Sequence, residues 1–259
     1  MWWSLALTKY TSTNKFAALK IFAHDYGAVE NQTAIYKRLS TAGDPEHPGR
    51  MYVRKIQDSF SVTSTAGNTH QCLVHEDLFN DLSRLRLFFP ERKLHEACVR
   101  YFLLHLLLAL DFLHRECHII HTGQVTPHYA LENIDRMPAI TESNILVGLI
   151  DPSILKQLDA KEIKGSVLCK RVKGYNIYTP VHFGFAKFGS PILCNFTHTS
   201  NEQVEHCHNI QRYDYRAPEV ILDIPWGYAV DIWNVGVMVR DFLHVTNSTI
   251  HRSETNESF

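Results

Sequence analysis

No uninterrupted apolar run reaches the ~18 residues that a membrane-spanning helix needs, so no transmembrane segment and no membrane partner are expected. The opening Met1-Trp2-Trp3 is apolar but lacks both a basic flank and a full apolar core, so a poor signal peptide is expected there. Net charge is nearly absent: 26 Lys and Arg stand against 27 Asp and Glu, giving −1 with the 16 histidines neutral. Such a balance gives no footprint for nucleic-acid binding, and neither end is a charged tail. Cysteine is sparse and scattered. The six thiols, Cys72, Cys98, Cys117, Cys169, Cys194 and Cys207, form no C-x-x-C pair, so the expectation is reduced, mostly buried thiols. His206-Cys207-His208, with His198 nearby, has no second ligand pair at zinc spacing and reads as incidental loop histidines. The sequons at Asn31, Asn195, Asn247 and Asn256 carry little without a secretory signal. Internal repeats are absent.

What is present is ordinary globular material, 45% hydrophobic and 20% charged, enough for one large domain or two lobes. Strands are expected at 3–8 and 16–22, joined by a polar turn, then a helix over about 29–40 and strands near 51–62 and 70–75. After residue 76 the pattern changes. Val99, Phe102, Leu103, Leu106, Leu107, Leu110 and Leu113 recur at helical spacing and predict an amphipathic helix over about 95–115. A short strand at His118–His121, another at Asn144–Val147 and an apolar helix from Ile232 to Phe242 follow. Residues 123–140 show no periodicity, and 150–180 read as loop. The polar residues 246–259 are expected to be a disordered tail.

Four motifs then occur in a telling order. They are Ala18-Leu19-Lys20, His121-Thr122 with the later Asn144-Ile145-Leu146, Tyr215-Arg216-Ala217-Pro218-Glu219, and Asp231-Ile232-Trp233-Asn234-Val235-Gly236. Together they resemble the lysine strand, catalytic loop, activation-segment end and central helix of protein kinases. The His-Thr form, with His47-Pro48-Gly49-Arg50, Asp58-Ser59-Phe60 and His70–Glu76, resembles the fungal members of the SR-protein-kinase-like serine/threonine kinases. The resemblance runs from about Trp3 to Phe242. It implies an α+β, two-lobed kinase-like fold, incomplete at both ends. Residues 1–76 would be the N-lobe without its glycine-rich loop. Residues 77–245 would be a partial C-lobe with an insertion at 124–139. It also implies ATP and Mg²⁺ as cofactors, Arg-Ser-rich protein substrates or a protein partner, no nucleic acid, and a cytoplasmic or nuclear location.

Phosphoryl transfer depends on positioning and charge neutralisation, so each expected group matters. By resemblance Lys20 and Asn144 would bind the nucleotide, and Asn144 and Asn195 would take the metal-binding positions. Several partners are altered. Gln32 stands where the helix glutamate is expected, four residues before Tyr36, and Glu30 falls on another helix face. A glutamine can hydrogen-bond Lys20 but cannot form an ion pair with it. Leu193-Cys194-Asn195-Phe196-Thr197 replaces Leu-Cys-Asp-Phe-Gly, so the carboxylate expected to hold Mg²⁺ is a neutral amide. Phe183-Gly184 lies too far upstream to substitute.

Gly123 occupies the position of the catalytic Asp, so no catalytic side chain is intact. Asn144 follows it by 21 residues rather than about five, a surplus of sixteen. Removing 124–139 restores the register and puts Thr141 at the loop-lysine position. Sixteen codons are intron-sized in compact genomes, and Gly123 as GGT with Pro138-Ala139 as CCA-GC would give a GT…AG intron. A true surface insertion is the alternative. His121 and Asp231 are expected to brace the catalytic loop, while Glu219 has no evident arginine partner downstream. Three functions stand open at this level: a weakened serine/threonine kinase, a non-catalytic pseudokinase scaffold, or a truncated or mis-spliced kinase fragment.

Overall fold

The computed structural model describes residues 3–9, 16–24, 29–76, 78, 81–87, 89–121, 140–149, 169–172, 175–178, 188–196, 200–201, 206–207 and 209–243. Gly123, the surplus segment 124–139, Phe183-Gly184, Thr197 and the tail 246–259 lie outside this set.

The first part is a four-stranded antiparallel sheet covered by one helix. Strands β1 (Trp3–Lys9), β2 (Phe16–Phe22), β3 (Ile56–Thr63) and β4 (Thr69–His75) lie in the order β1-β2-β4-β3. β2 is therefore central, and Lys20 pairs with Leu5 on one side and Leu73 on the other. Alternation along β2 sets its faces. Ala18, Lys20 and Phe22 are buried together, while Leu19 and Ile21 are only half-buried. Helix α1 (Val29–Thr41) buries Gln32, Ile35, Tyr36 and Leu39. The i, i+3, i+4, i+7 spacing makes these one stripe, and Gln32 is its single polar member.

The expected strand near 51–62 begins later, at Ile56. Pro48 and Gly49 instead set a 3-10 turn over Pro48–Tyr52, with the His47 ring accepting from the Gly49 amide. This turn joins the two parts of the molecule. His47 Nε2 lies 3.2 Å from Asp111, and Arg50 reaches back to the Ala42 and Ser40 carbonyls at the end of α1. Gly49 packs directly on the backbone of the next long helix. A Cβ there would stand 1.8 Å from the Leu108 carbonyl oxygen.

That helix, α3 (Glu96–Asp111), follows the short α2 (Leu82–Arg86) and continues into a π turn at Phe112–Glu116. Val99, Phe102, Leu106, Ala109 and Leu110 face the core, whereas Leu107, expected on the same stripe, is 40% exposed. The helical run Pro90–Glu116 is apolar and long enough to cross a membrane by length and composition alone, and 39% of its most apolar window is buried within the fold.

β5 (Ile119–Ile120) pairs with β10 (Ser200–Asn201), and β6 (Ile145–Leu149) pairs with β9 (Phe188–Leu193). Residues 150–180, expected as loop, include a hairpin of β7 (Cys169–Val172) and β8 (Tyr175–Tyr178). Two helices complete the described chain, α4 (Pro218–Ile221) and α5 (Ala229–Leu243). On α5, Met238 and Phe242 face the main core and Trp233 is 44% exposed. Val237 is partly buried against the core.

The contact at Gly49 leaves no room for a methyl group against backbone. Gly49→Ala is expected to destabilise the fold by about 2 kcal/mol, read as a lower denaturant midpoint.

Candidate functional site

The side chains singled out by the motifs converge between the sheet and the helical part. Lys20 is 6% exposed and lies on a central strand. Its Nζ lies 3.4 Å from Gln32 Oε1 and 5.1 Å from the centre of the Phe22 ring. Burial, then the positive charge of Arg54, pushes the Lys20 amine down to about 7. The altered pair therefore meets as a neutral amide on an amine, as the residue types require. The Glu30 side chain lies outside the described set.

Behind the lysine runs a column of rings. Tyr36 of α1 stands 5.8 Å from Phe196, and Phe196 stands 5.2 Å from His121, both edge-on. His121 is buried, and its Nε2 donates to the Cys194 carbonyl at 2.8 Å. Its Nδ1 has no hydrogen-bond partner among the described residues, and burial holds the ring below its ordinary pKa. The column ends on Asp231, which is 0% exposed in the first turn of α5. One carboxylate oxygen accepts from the His121 amide at 2.8 Å and from His114 Nε2 at 2.9 Å. The expected bracing role of Asp231 and His121 is thus present. His114 is an addition with no spacing signal of its own, and it stacks on Tyr228 at 4.4 Å.

Ile140 is fully buried, and its amide donates to Asn234 Oδ1 at 3.1 Å. Asn234 in turn donates to the Tyr215 carbonyl at 2.7 Å. A 3-10 turn at Glu142–Asn144 then leads into β6. Asn144 and Asn195 do meet. Asn195 Nδ2 donates to Asn144 Oδ1 at 3.1 Å, while the Cys194 amide donates to the Asn144 carbonyl at 2.8 Å. Asn195 sits at φ 67°, a conformation asparagine tolerates better than most residues. Two carboxamides, one already accepting from the other, are poor ligands for a hard divalent cation. A pair of neutral amides, with no carboxylate between them, does not fit Mg²⁺ as a donor set. His206, from the sequence's other metal candidate, is buried in a stack on Trp226 at 4.5 Å.

Two further features escape sequence reading because their partners are distant in the chain. Arg86 of α2 ion-pairs with Glu142 and donates to the Asp241 carbonyl at 2.8 Å, tying the turn before Asn144 to α5. Gln211, at φ 66°, donates to the Val230 carbonyl at 2.9 Å and accepts from the Ala217 amide at 2.7 Å, holding the Arg216–Glu219 motif on α5.

No protein-family model matches the chain. A serine/threonine protein kinase of Aspergillus fumigatus is 33% identical over 232 residues, covering 88% of this chain and 51% of that protein. The serine/threonine-protein kinase SRPK of Physarum polycephalum is 27% identical over 233 residues, covering 86% of this chain and 52% of its own length. The chain thus spans about half the length of the curated relatives it matches. In structure it superposes on a crystallised kinase domain with a TM-score of 0.64 and 19% identity, covering 94% of this chain and 61% of the other. That likeness establishes the two-lobed kinase-type fold.

Asp231→Ala would leave the His121 amide and His114 buried without their acceptor. A loss of about 3 kcal/mol is expected in chemical denaturation, with the His114→Ala loss smaller.

His75 packs with its ring centre 5.0 Å from that of Tyr36, its Nδ1 donating to the Lys55 carbonyl at 2.9 Å. Burial and the charge of Arg54 push its imidazole down from 6.5 to about 3. The unfolded chain then binds the extra proton first, so stability should fall as pH drops from about 6.5 towards 3. Melting temperatures of His75→Gln should fall less steeply over that range than those of the unaltered chain.

Proposed function

We propose that this chain, similar to serine/threonine kinases including one named SRPK, is a member of the SR-protein-kinase-like family that binds ATP at Lys20 and transfers the γ-phosphate to protein serine or threonine with weakened chemistry. The observation that carries the reading is the buried Lys20–Gln32 contact beside the intact column Tyr36–Phe196–His121–Asp231. A lysine amine held at that depth is positioned for a nucleotide's phosphates, and the column holds Cys194 and Asn195 at a fixed distance from it. Arg-Ser-rich proteins are the substrate class that the family assignment suggests.

The weakening follows from three neutral replacements. Gln32 and Asn195 remove two negative charges, and Gly123 supplies no group to accept the substrate hydroxyl proton. ATP, when bound, supplies the transferable phosphoryl group. The protein's own part is to orient it through Lys20 and Asn144 and to screen the cleft from water. No step through Mg²⁺ is derived, because the amide pair does not fit it. The same replacements favour a second reading, a scaffold that holds nucleotide without turning it over.

Thermal melting with ATP, with and without Mg²⁺, tests the binding. A stabilising shift is expected, largely metal-independent and abolished by Lys20→Ala. Phosphate incorporation into an Arg-Ser-repeat peptide, lost in Lys20→Ala, is the result expected of a transferase. A shift without incorporation selects the scaffold, and no shift at all sinks the nucleotide site.

A further inference from the structure

The 3-10 turn Glu142–Asn144 carries Asn144 into the site, and a buried ion pair that no motif contains holds the turn from its other side. Arg86 on α2 and Glu142 are each 13% exposed, and Arg86 Nη1 meets Glu142 Oε1. The rest of the guanidinium is also engaged. Nε donates to the Arg92 carbonyl and Nη2 to the Asp241 carbonyl, both at 2.8 Å, and the group lies 5.6 Å from the centre of the Phe242 ring. Asp241 is itself fixed, its carboxylate accepting from the Tyr215 hydroxyl at 2.9 Å and pairing with Arg240 at 3.0 Å. Glu142 thus meets an arginine whose position is set by α2, by the turn that follows it and by the end of α5.

The shape of the turn carries this constraint to Asn144. At three residues per turn, positions i and i+2 point about 120° apart. Glu142 therefore faces α2 and α5 while Asn144 faces Cys194 and Asn195. The backbone is closed, with the Asn144 amide on the Thr141 carbonyl at 2.9 Å and the Ile145 amide on the Glu142 carbonyl. On the far side Asn144 Oδ1 accepts from Asn195 Nδ2 at 3.1 Å, and the Asn144 carbonyl accepts from the Cys194 amide at 2.8 Å. The turn does not need the ion pair in order to form. Ile140 is anchored on Asn234 before it, and Ile145 is buried and paired with Leu193 after it. Those anchors leave open a rotation of the turn about the line joining them, and Glu142 lies between them. A buried ion pair is a weak source of stability, because desolvation offsets most of its attraction, and it is better suited to selecting one arrangement.

We propose that the Arg86–Glu142 ion pair is a positioning device for Asn144: it sets the rotation of the Glu142–Asn144 turn, and with it the placement of the Asn144 carboxamide for a nucleotide. The nucleotide half rests on the ATP reading above. Both residues act through the turn and not on the ligand.

The test replaces both charges at once. In Arg86→Leu with Glu142→Leu no buried charge is left unpaired, so cooperative melting should be retained. NMR of the protein without ligand follows the Asn195 side-chain amide, assigned by the signal lost in Asn195→Asp. Its hydrogen-bonded proton is expected to move upfield in the double variant, as the bond to Asn144 lengthens. It should return towards its original position in Glu142→Gln, where an amide oxygen still accepts from Arg86. An unmoved signal in a folded double variant overturns the proposal. Should that variant fail to melt cooperatively, Glu142→Ala, which leaves Arg86 its two carbonyls, is read in the same way and decides it. Calorimetric titration with metal-free ATP is the second arm. Affinity should fall about five-fold in the double variant, as one weakened hydrogen bond implies, and recover in Glu142→Gln. A moved signal with no ATP binding by the unaltered chain supports the role of the ion pair and overturns the nucleotide reading alone. A moved signal with equal ATP affinity in both forms overturns the nucleotide half of the proposal.

Discussion

A single buried carboxylate organises the helical part of the molecule. Asp231 has no access to water, and the His121 amide and the His114 ring both donate to its carboxylate, stabilising the buried charge. Those bonds fix where the segment after β5 runs, and through His121 Nε2 they fix the Cys194 carbonyl. Cys194 in turn bonds Asn144 and lies between Leu193 and Asn195. The position of both asparagines is thus inherited from α5. The ring column carries the constraint onward through Phe196 to Tyr36 on α1, the helix that also presents Gln32 to Lys20. The part of the chain that holds shape and the part that would meet a ligand are one connected set of contacts.

That set has kept its geometry while losing negative charge. Where the family pattern has a glutamate and an aspartate, this chain has Gln32 and Asn195, each close in size to the acid it replaces. Shape, packing and hydrogen-bond reach survive such exchanges, and divalent-cation affinity does not. The surroundings of Lys20 are consequently less negative than the kinase pattern implies. A polyphosphate would meet less repulsion there, and a metal ion less attraction. Positioning without charge neutralisation is a coherent basis for holding a nucleotide and a poor one for cleaving it.

Much of this was legible in the chain, and the exceptions have physical causes. The strand face of Ala18, Lys20 and Phe22 and the helix stripe of Gln32, Tyr36 and Leu39 follow from periods of 2 and 3.6. The contact between Lys20 and Gln32, and the bracing by His121 and Asp231, came from motif order. His114 and Arg86 carried no such signal, since their partners Asp231 and Glu142 lie 117 and 56 residues away. The 3-10 turn at Pro48–Tyr52 replaced an expected strand start because Gly49 must press against the backbone of α3.

The two anchors on α5 bear on the length of the chain between them. His121 hangs from Asp231 and Ile140 from Asn234, three residues apart and so on neighbouring turns of one helix, about 5 Å along its axis. Two residues between these anchors would reach about 11 Å when extended, enough to close the gap. Eighteen separate them in this chain, and the entropy of closing a loop grows only as the logarithm of its length. The anchoring is therefore indifferent to the segment it encloses. A translated form without residues 124–139 and one that keeps them can share every contact described on α5, so a change in message processing at this point would leave that frame unmoved.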